Sequence, residues 1–103
     1  MYAAAEYAHR QTDPDNLKVY IHVLLYVDDM GRMIPRQLQW EDGRWYEIDK
    51  VLDIRPAPAA KAGGQGDRYT VRIRGQQRMI FFEHNPRTDE PIPGRWFIER
   101  RVP

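Results

Sequence analysis

The sequence predicts an all-β fold, a small barrel or rolled antiparallel sheet of five to six strands behind a distinct N-terminal arm. Three observations carry this. Asp42-Gly43 lies between the aromatic runs Gln39-Trp40 and Arg44-Trp45-Tyr46, a strong short-range hairpin signal. Lys18 to Val27 alternates with period two and is rich in β-branched residues. Further short runs of the same kind follow, separated by tight turns, with no long helical period and no internal repeat. The expected division is an arm over residues 1–16 and one small β-barrel domain over residues 17–103.

In the arm, Ala3-Ala4-Ala5-Glu6-Tyr7-Ala8 favours helix, and Asp13-Pro14-Asp15-Asn16 ends it as a turn. So short a helix is marginal in water, so the arm is either a frayed, disordered segment or a docked helix. In the first strand Val19, Ile21, Val23, Leu25 and Val27 share one face, and Tyr20, His22, Leu24 and Tyr26 share the other. The second face is also apolar, which predicts cover on both sides. Asp28 to Arg32 reads as a turn and Ile34 to Trp40 as the next strand, with Pro35 suited to an edge or a strand start.

The Asp-Gly hairpin admits two registers. A two-residue loop would put Leu38 and Trp40 on the face of Glu47 and Asp49. A three-residue loop, Glu41-Asp42-Gly43 with Gly43 left-handed, puts them with Tyr46 and Ile48 instead. A one-residue slip flips every side chain, so core burial selects the three-residue loop and turns Trp45 outward. Tyr46 to Arg55 then continues as one strand, with Ile48, Leu52 and Ile54 inward and Pro56-Ala57-Pro58 ending it. Residues 56–67 read as a glycine-rich loop. Arg68 to Arg74 is a strand with Tyr69, Val71 and Ile73 inward. A turn at Gly75-Gln76 would set Val71 and Tyr69 opposite Ile80 and Phe82. Asn85 to Gly94 is a proline-rich loop before a last strand, Arg95 to Val102.

At 103 residues the chain has room for one core, burying roughly 60–70% of its unfolded surface. Its three Trp, six Tyr and three Phe are unlike a disordered composition. It has no Cys and no Ser, which removes disulfides, thiolate ligands and the usual hydroxyl and thiol nucleophiles. Only Thr12, Thr70 and Thr88 remain as non-phenolic hydroxyls. No apolar run reaches the roughly 20 residues that span a bilayer, and no secretory signal pattern opens the sequence. A cytoplasmic bacterial-type protein without a membrane partner is expected. The net charge is +1. Residues 1–65 carry eight Lys/Arg against ten Asp/Glu, and residues 66–103 carry eight Arg against five Asp/Glu.

His9, His22 and His84 lack the spacing of a ligand pair backed by a third ligand, so no metal and no cofactor is expected. Glu47, Asp49 and Asp53 share one strand parity, as the solvated side of an antiparallel strand should. The loop carrying Lys61, Gly63, Gly64, Gly66 and Arg68 has the glycines of a phosphate cradle but runs into a strand, so the helix dipole is missing. It reads as a connector, with a weak anion site of backbone amides plus Lys61 and Arg68 as the functional alternative.

The strongest functional signal is basic and aromatic interleaving. Arg72, Arg74 and Arg78, with Met79, Phe81 and the outward Trp45, form a candidate binding surface. Such a surface suits a self-associating interface, a single-stranded nucleic-acid platform on hairpin 68–82, or intramolecular cover by the arm. Near-neutral charge favours the interface, because phosphate contacts dominate nucleic-acid affinity.

The strings Trp40-Glu-Asp-Gly-Arg-Trp-Tyr-Glu-Ile-Asp-Lys-Val-Leu-Asp-Ile-Arg55, Lys61-Ala-Gly-Gly-Gln-Gly-Asp-Arg-Tyr-Thr-Val-Arg-Ile73 and Arg95-Trp-Phe-Ile-Glu99 resemble a family of short, uncharacterised bacterial small-β-barrel proteins. The resemblance covers roughly residues 34–101. It implies the small-barrel fold and transfers no activity, cofactor or catalytic residue. The expected function is therefore a non-enzymatic interaction module, self-associating through its outward Arg/aromatic face, with single-stranded nucleic-acid binding as the alternative.

Overall fold

Every alternating run in the sequence forms a strand, but the chain distributes those strands over two sheets. The computed structural model describes residues 16–58, 65–87 and 89–101. The expected arm helix and the glycines of the loop at 61–64 lie outside the described residues. Eight strands follow in chain order: β1 (Asn16–Tyr20), β2 (Val23–Val27), β3 (Met33–Gln39), β4 (Trp45–Glu47), β5 (Lys50–Pro58), β6 (Gln65–Ile73), β7 (Gln76–His84) and β8 (Gly94–Arg101). They form a five-stranded sheet in the order β1-β8-β7-β6-β5 and a three-stranded sheet in the order β2-β3-β4. All pairings are antiparallel. There is no helix among the described residues.

One core fills the space between the sheets. The larger sheet contributes Tyr69, Val71, Ile73, Ile80, Phe82, Trp96 and Ile98, and Leu38 and Ile48 meet them from the other side. Trp96 packs 4.9 Å from Tyr69 and 5.1 Å from Phe82, ring centre to ring centre. Both contacts are inclined, as the ring quadrupole favours. Trp40, Tyr46, Val19, Val23 and Val51 pack around the margin.

The three-residue hairpin loop is the one that forms. Trp40 N–H donates to the Arg44 carbonyl at 2.9 Å, Leu38 opposes Tyr46, and Gly43 takes φ +82°. Pro35 is fully buried beside a bulge, where β2 pairing steps from Leu24–Gln37 to Leu25–Pro35 and the missing amide donor is tolerated.

Three expectations are corrected. First, 18–27 is not one strand. Ile21 N–H bonds the Trp96 carbonyl at 3.0 Å, while the His22 carbonyl accepts from Gln39 N–H at 3.0 Å. The chain changes sheets between them. Val19, Ile21 and Val23 reach the core, whereas the rest of β2, from Leu24 to Val27, runs past it and is not covered on both sides. Second, 46–55 breaks in the same way. Ile48 N–H bonds the Arg36 carbonyl and Asp49 N–H bonds the Arg72 carbonyl, each at 2.8 Å. Val51, opposite Val71, packs on the core; a bulge at Leu52 then shifts the parity and sets Ile54 opposite Tyr69, on the core-side face but beyond the core, so Leu52 and Ile54 are both exposed. This strand continues through Pro58, because β5 is a sheet edge and its prolines need no ladder donor there. Third, the β6–β7 turn is Arg74-Gly75, with Ile73 opposite Gln76 and Tyr69 opposite Ile80. Both turn residues are left-handed, φ +52° and +76°, as a type I′ turn requires. The difference from the expected register is two residues, which leaves Tyr69, Val71, Ile73, Ile80 and Phe82 inward and Met79 and Phe81 outward as expected, while Arg74 moves from the outward face into the turn.

Gly94 opens β8 where the backbone lies close against β7. A Cβ there would strike the Glu83 carbonyl oxygen and come within 2.6 Å of the Phe82 ring. Gly94→Ala is expected to destabilise the fold by about 1–3 kcal/mol through overpacking, measured by urea unfolding.

Candidate functional site

The six residues of the sequence-derived surface fall in three places. Arg72 and Met79 lie exposed on the outer face of the larger sheet. Phe81 shares that face but is half-buried, stacked at 5.1 Å and 10° on Phe97. Arg78 opposes Val71, on the core side. Arg74 sits in the turn, with its guanidinium 5.2 Å from the Tyr46 ring centre. Trp45 is outward on the smaller sheet, 46% exposed, beside His22. Of the weak anion-site residues, Gly66 and Arg68 are β6 residues paired with β5 and β7. Lys61, Gly63 and Gly64 lie outside the described residues.

The outer face of the larger sheet is a packed polar–aromatic layer. Phe97 is 1% exposed there, between Phe81 and the edge-on Tyr20 ring, with the Lys18 ammonium 4.7 Å from its ring centre. Glu83 gathers the charges. It accepts from Tyr20 OH at 2.6 Å and Lys18 Nζ at 3.1 Å, and the Arg95 guanidinium stands 3.6 Å away. Charge-assisted bonds of this kind fix their members firmly. Arg68 Nε is buried in this layer without a hydrogen-bond partner.

Two surfaces that the sequence did not single out are chemically more open. One is β2, an edge of the smaller sheet. Leu24, Leu25, Tyr26 and Val27 are 52, 37, 50 and 56% exposed, and Met30 in the following turn is exposed as well. The sequence signal was present, since both faces of 23–27 are apolar. That pattern fits an exposed edge as well as a doubly covered strand. The turn after β2 is fixed by Asp28, whose carboxylate accepts from the Met30 and Arg32 backbone N–H groups at 2.9 Å each and from Arg32 Nε at 2.7 Å. Those bonds, the Arg32 N–H first, hold its carboxyl below the ordinary range.

The other is a cleft of about 280 Å³ between the hairpin end of the smaller sheet and the β6–β7 turn, lined by Trp40, Tyr46, Ile73, Arg74, Gln76 and Arg78. The register that places Trp40 and Tyr46 inward also places them at this end of the core. Only the packing of the two sheets reveals that Arg74 and Arg78 meet them. Arg78 Nη2 donates to Gln76 Oε1 at 2.6 Å and its guanidinium lies 6.0 Å from the Trp40 ring centre.

Among the described residues no three His, Asp or Glu side chains converge as a metal site would need. No helix among them is long and apolar enough to cross a membrane. Comparison with protein-family models, curated proteins and solved structures returns no match.

The floor of the cleft is tied to the hairpin by Asp42. Its carboxylate accepts from Tyr46 OH at 2.7 Å and from Arg44 N–H at 2.9 Å. The Tyr46 bond, then the Arg44 bond, hold the Asp42 carboxyl below its ordinary 3.8, and the Tyr46–Asp42 bond raises the Tyr46 phenol above 10.0. A depressed carboxyl pKa stabilises the fold fully above the unfolded value and less as pH falls through the folded one. Asp42→Asn is therefore expected to melt below wild type at neutral pH, with the gap closing in acid below 3.8, followed by thermal melts across that range.

Proposed function

We propose that this protein is a non-enzymatic interaction module that self-associates, and that the β2 edge carries the association. The observation behind this is a contrast among strand edges. β5 carries Pro56, Pro58, Lys50 and Arg55; β1 carries Lys18; β4 is three residues long and ends on Glu47. These are the devices that keep sheet edges from pairing. β2, Val-Leu-Leu-Tyr-Val, has no charge, no proline and four exposed apolar side chains. Among the described residues it pairs only with β3.

A second copy is the occupant that β2 itself complements. An antiparallel two-fold pairing centred on Leu25 sets Leu24 against Tyr26 and Val23 against Val27. It also sets His22 against Asp28, so no like charges oppose each other. Closed two-fold symmetry requires such self-complementarity, and apolar cross-strand pairs each add roughly 0.2–1 kcal/mol. A net charge of +1 leaves little long-range repulsion between copies. The single-stranded nucleic-acid alternative has less support, because Arg72 and Phe81 lie on the opposite side of the sheet from Arg78.

This reading treats β1/β2 and β4/β5 as two bent strands shared between the sheets, which would make the domain a six-stranded small barrel. The paired backbone bonds at Ile21-His22 and Ile48-Asp49 support it.

Sedimentation equilibrium up to millimolar protein tests the interface. Wild type is expected to dimerise reversibly. Leu25→Lys should weaken the dimer about tenfold or more, equivalent to 1.4 kcal/mol, while Met79→Lys on the outer face of the larger sheet leaves it unchanged. A chain that stays monomeric throughout, or one released by Met79→Lys and not by Leu25→Lys, overturns the assignment.

A further inference from the structure

We propose that the Trp40–Tyr46–Arg74–Arg78 cleft is a binding site for a small planar ring carrying an anionic group, a phosphate or a carboxylate. Its size is the first support. At about 280 Å³ it is near the lower end of ligand pockets, which run from roughly 300 Å³ upward. That volume suits a single ring system with one charged substituent.

Charge is the second. Two further cavities among the described residues also adjoin arginines, and both include acids. The one at Arg95 has Glu83 and Glu90 in its wall, and the one at Arg32 has Asp28. The proposed cleft has two arginines and no acidic residue. Among the described residues neither Arg74 nor Arg78 has a carboxylate within 4.0 Å, whereas Arg32, Arg55, Arg87, Arg95 and Arg100 each do. Among the described residues Arg36, Arg44, Arg68 and Arg72 also lack a carboxylate partner, but none of them lines this cavity. Two convergent guanidiniums offer the forked donors that oxyanions bind best, and the half-buried Trp40 beside them offers a ring face for stacking.

Backbone conformation is the third and independent support. Arg74 is the only non-glycine residue with positive φ among the described residues. Type I′ turns prefer Asn, Asp or Gly at that position, and an ordinary side chain there is strained. Strain kept in place over a cavity points to a role for the side chain it positions. The left-handed turn carries the Arg74 guanidinium over Tyr46 and into the cleft. Asn would suit the turn better but would lack the charge.

The test uses the full chain, with adenosine monophosphate and benzoate as ring-plus-anion probes and adenosine and inorganic phosphate as the separate halves. Binding is followed by NMR at the indole N–H of Trp40. At least one ring-plus-anion probe is expected to shift Trp40 saturably, weakening with added salt. Either half alone should bind about tenfold more weakly or not at all. The tighter of the two probes identifies the anion. Arg78→Gln should weaken binding about tenfold, the scale of a lost charge-assisted contact. Arg74→Asn should weaken it about fivefold or more while raising the melting temperature, an opposition that a purely structural arginine would not produce. Absence of any Trp40 shift at millimolar probe overturns the proposal. So does equal binding by inorganic phosphate alone, or wild-type affinity in both variants.

Discussion

The fold depends on two pairs of adjacent backbone groups that serve different sheets. At Ile21-His22 one residue extends the β1–β8 ladder and the next accepts from β3. At Ile48-Asp49 one residue completes the smaller sheet and the next opens the larger. Buried amides and carbonyls must be paired, so a chain leaving one sheet inside the molecule needs immediate partners in the other. Both corners find them within one residue. The two sheets are thereby held face to face by the backbone itself, and the core between them can be filled by ordinary apolar side chains. The bulge at Leu52 and the run of β2 past the core both follow, because each strand leaves its corner in a direction set by its new sheet.

The larger sheet is packed on both faces. Trp96 and Ile98 point into the main core and Phe97 into the layer with Phe81, Tyr20 and Glu83. The surface expected from Arg and aromatic interleaving is largely this second layer, where the aromatic rings are already engaged. The open chemistry lies instead at the margins of the smaller sheet. One margin has an uncharged edge, and the other has two guanidiniums above two rings.

Much of this was legible because parity is a strong constraint. The Glu41-Asp42-Gly43 loop could be chosen because a one-residue slip would have exposed Leu38 and buried Glu47. The inward set Tyr69, Val71 and Ile73 followed from alternation alone. The β6–β7 turn lies one residue earlier than expected for the same reason, since this shifts the pairing by two, which the hydrophobic pattern cannot detect. The corners were illegible because Val19, Ile21 and Val23 keep a single alternation while their backbone partners change. The cleft could not be read at all. Arg74 and Tyr46 are brought together by packing between sheets, and no local spacing encodes that.

The pairing of β1 with β8 joins Asn16 to Arg101 and Tyr20 to Phe97. Nearly the whole described chain therefore forms one loop that must close before the larger sheet is complete. Closing so long a loop carries a large entropy penalty, and distant pairings are the slow ones in folding. During synthesis, β2 and β3 can form their hairpin as soon as residue 39 has emerged from the ribosome. β1 has no partner until the last strand follows. For that interval the open side of β7 is exposed alongside the uncharged β2 edge, so the chain is most prone to mispairing before β8 has docked.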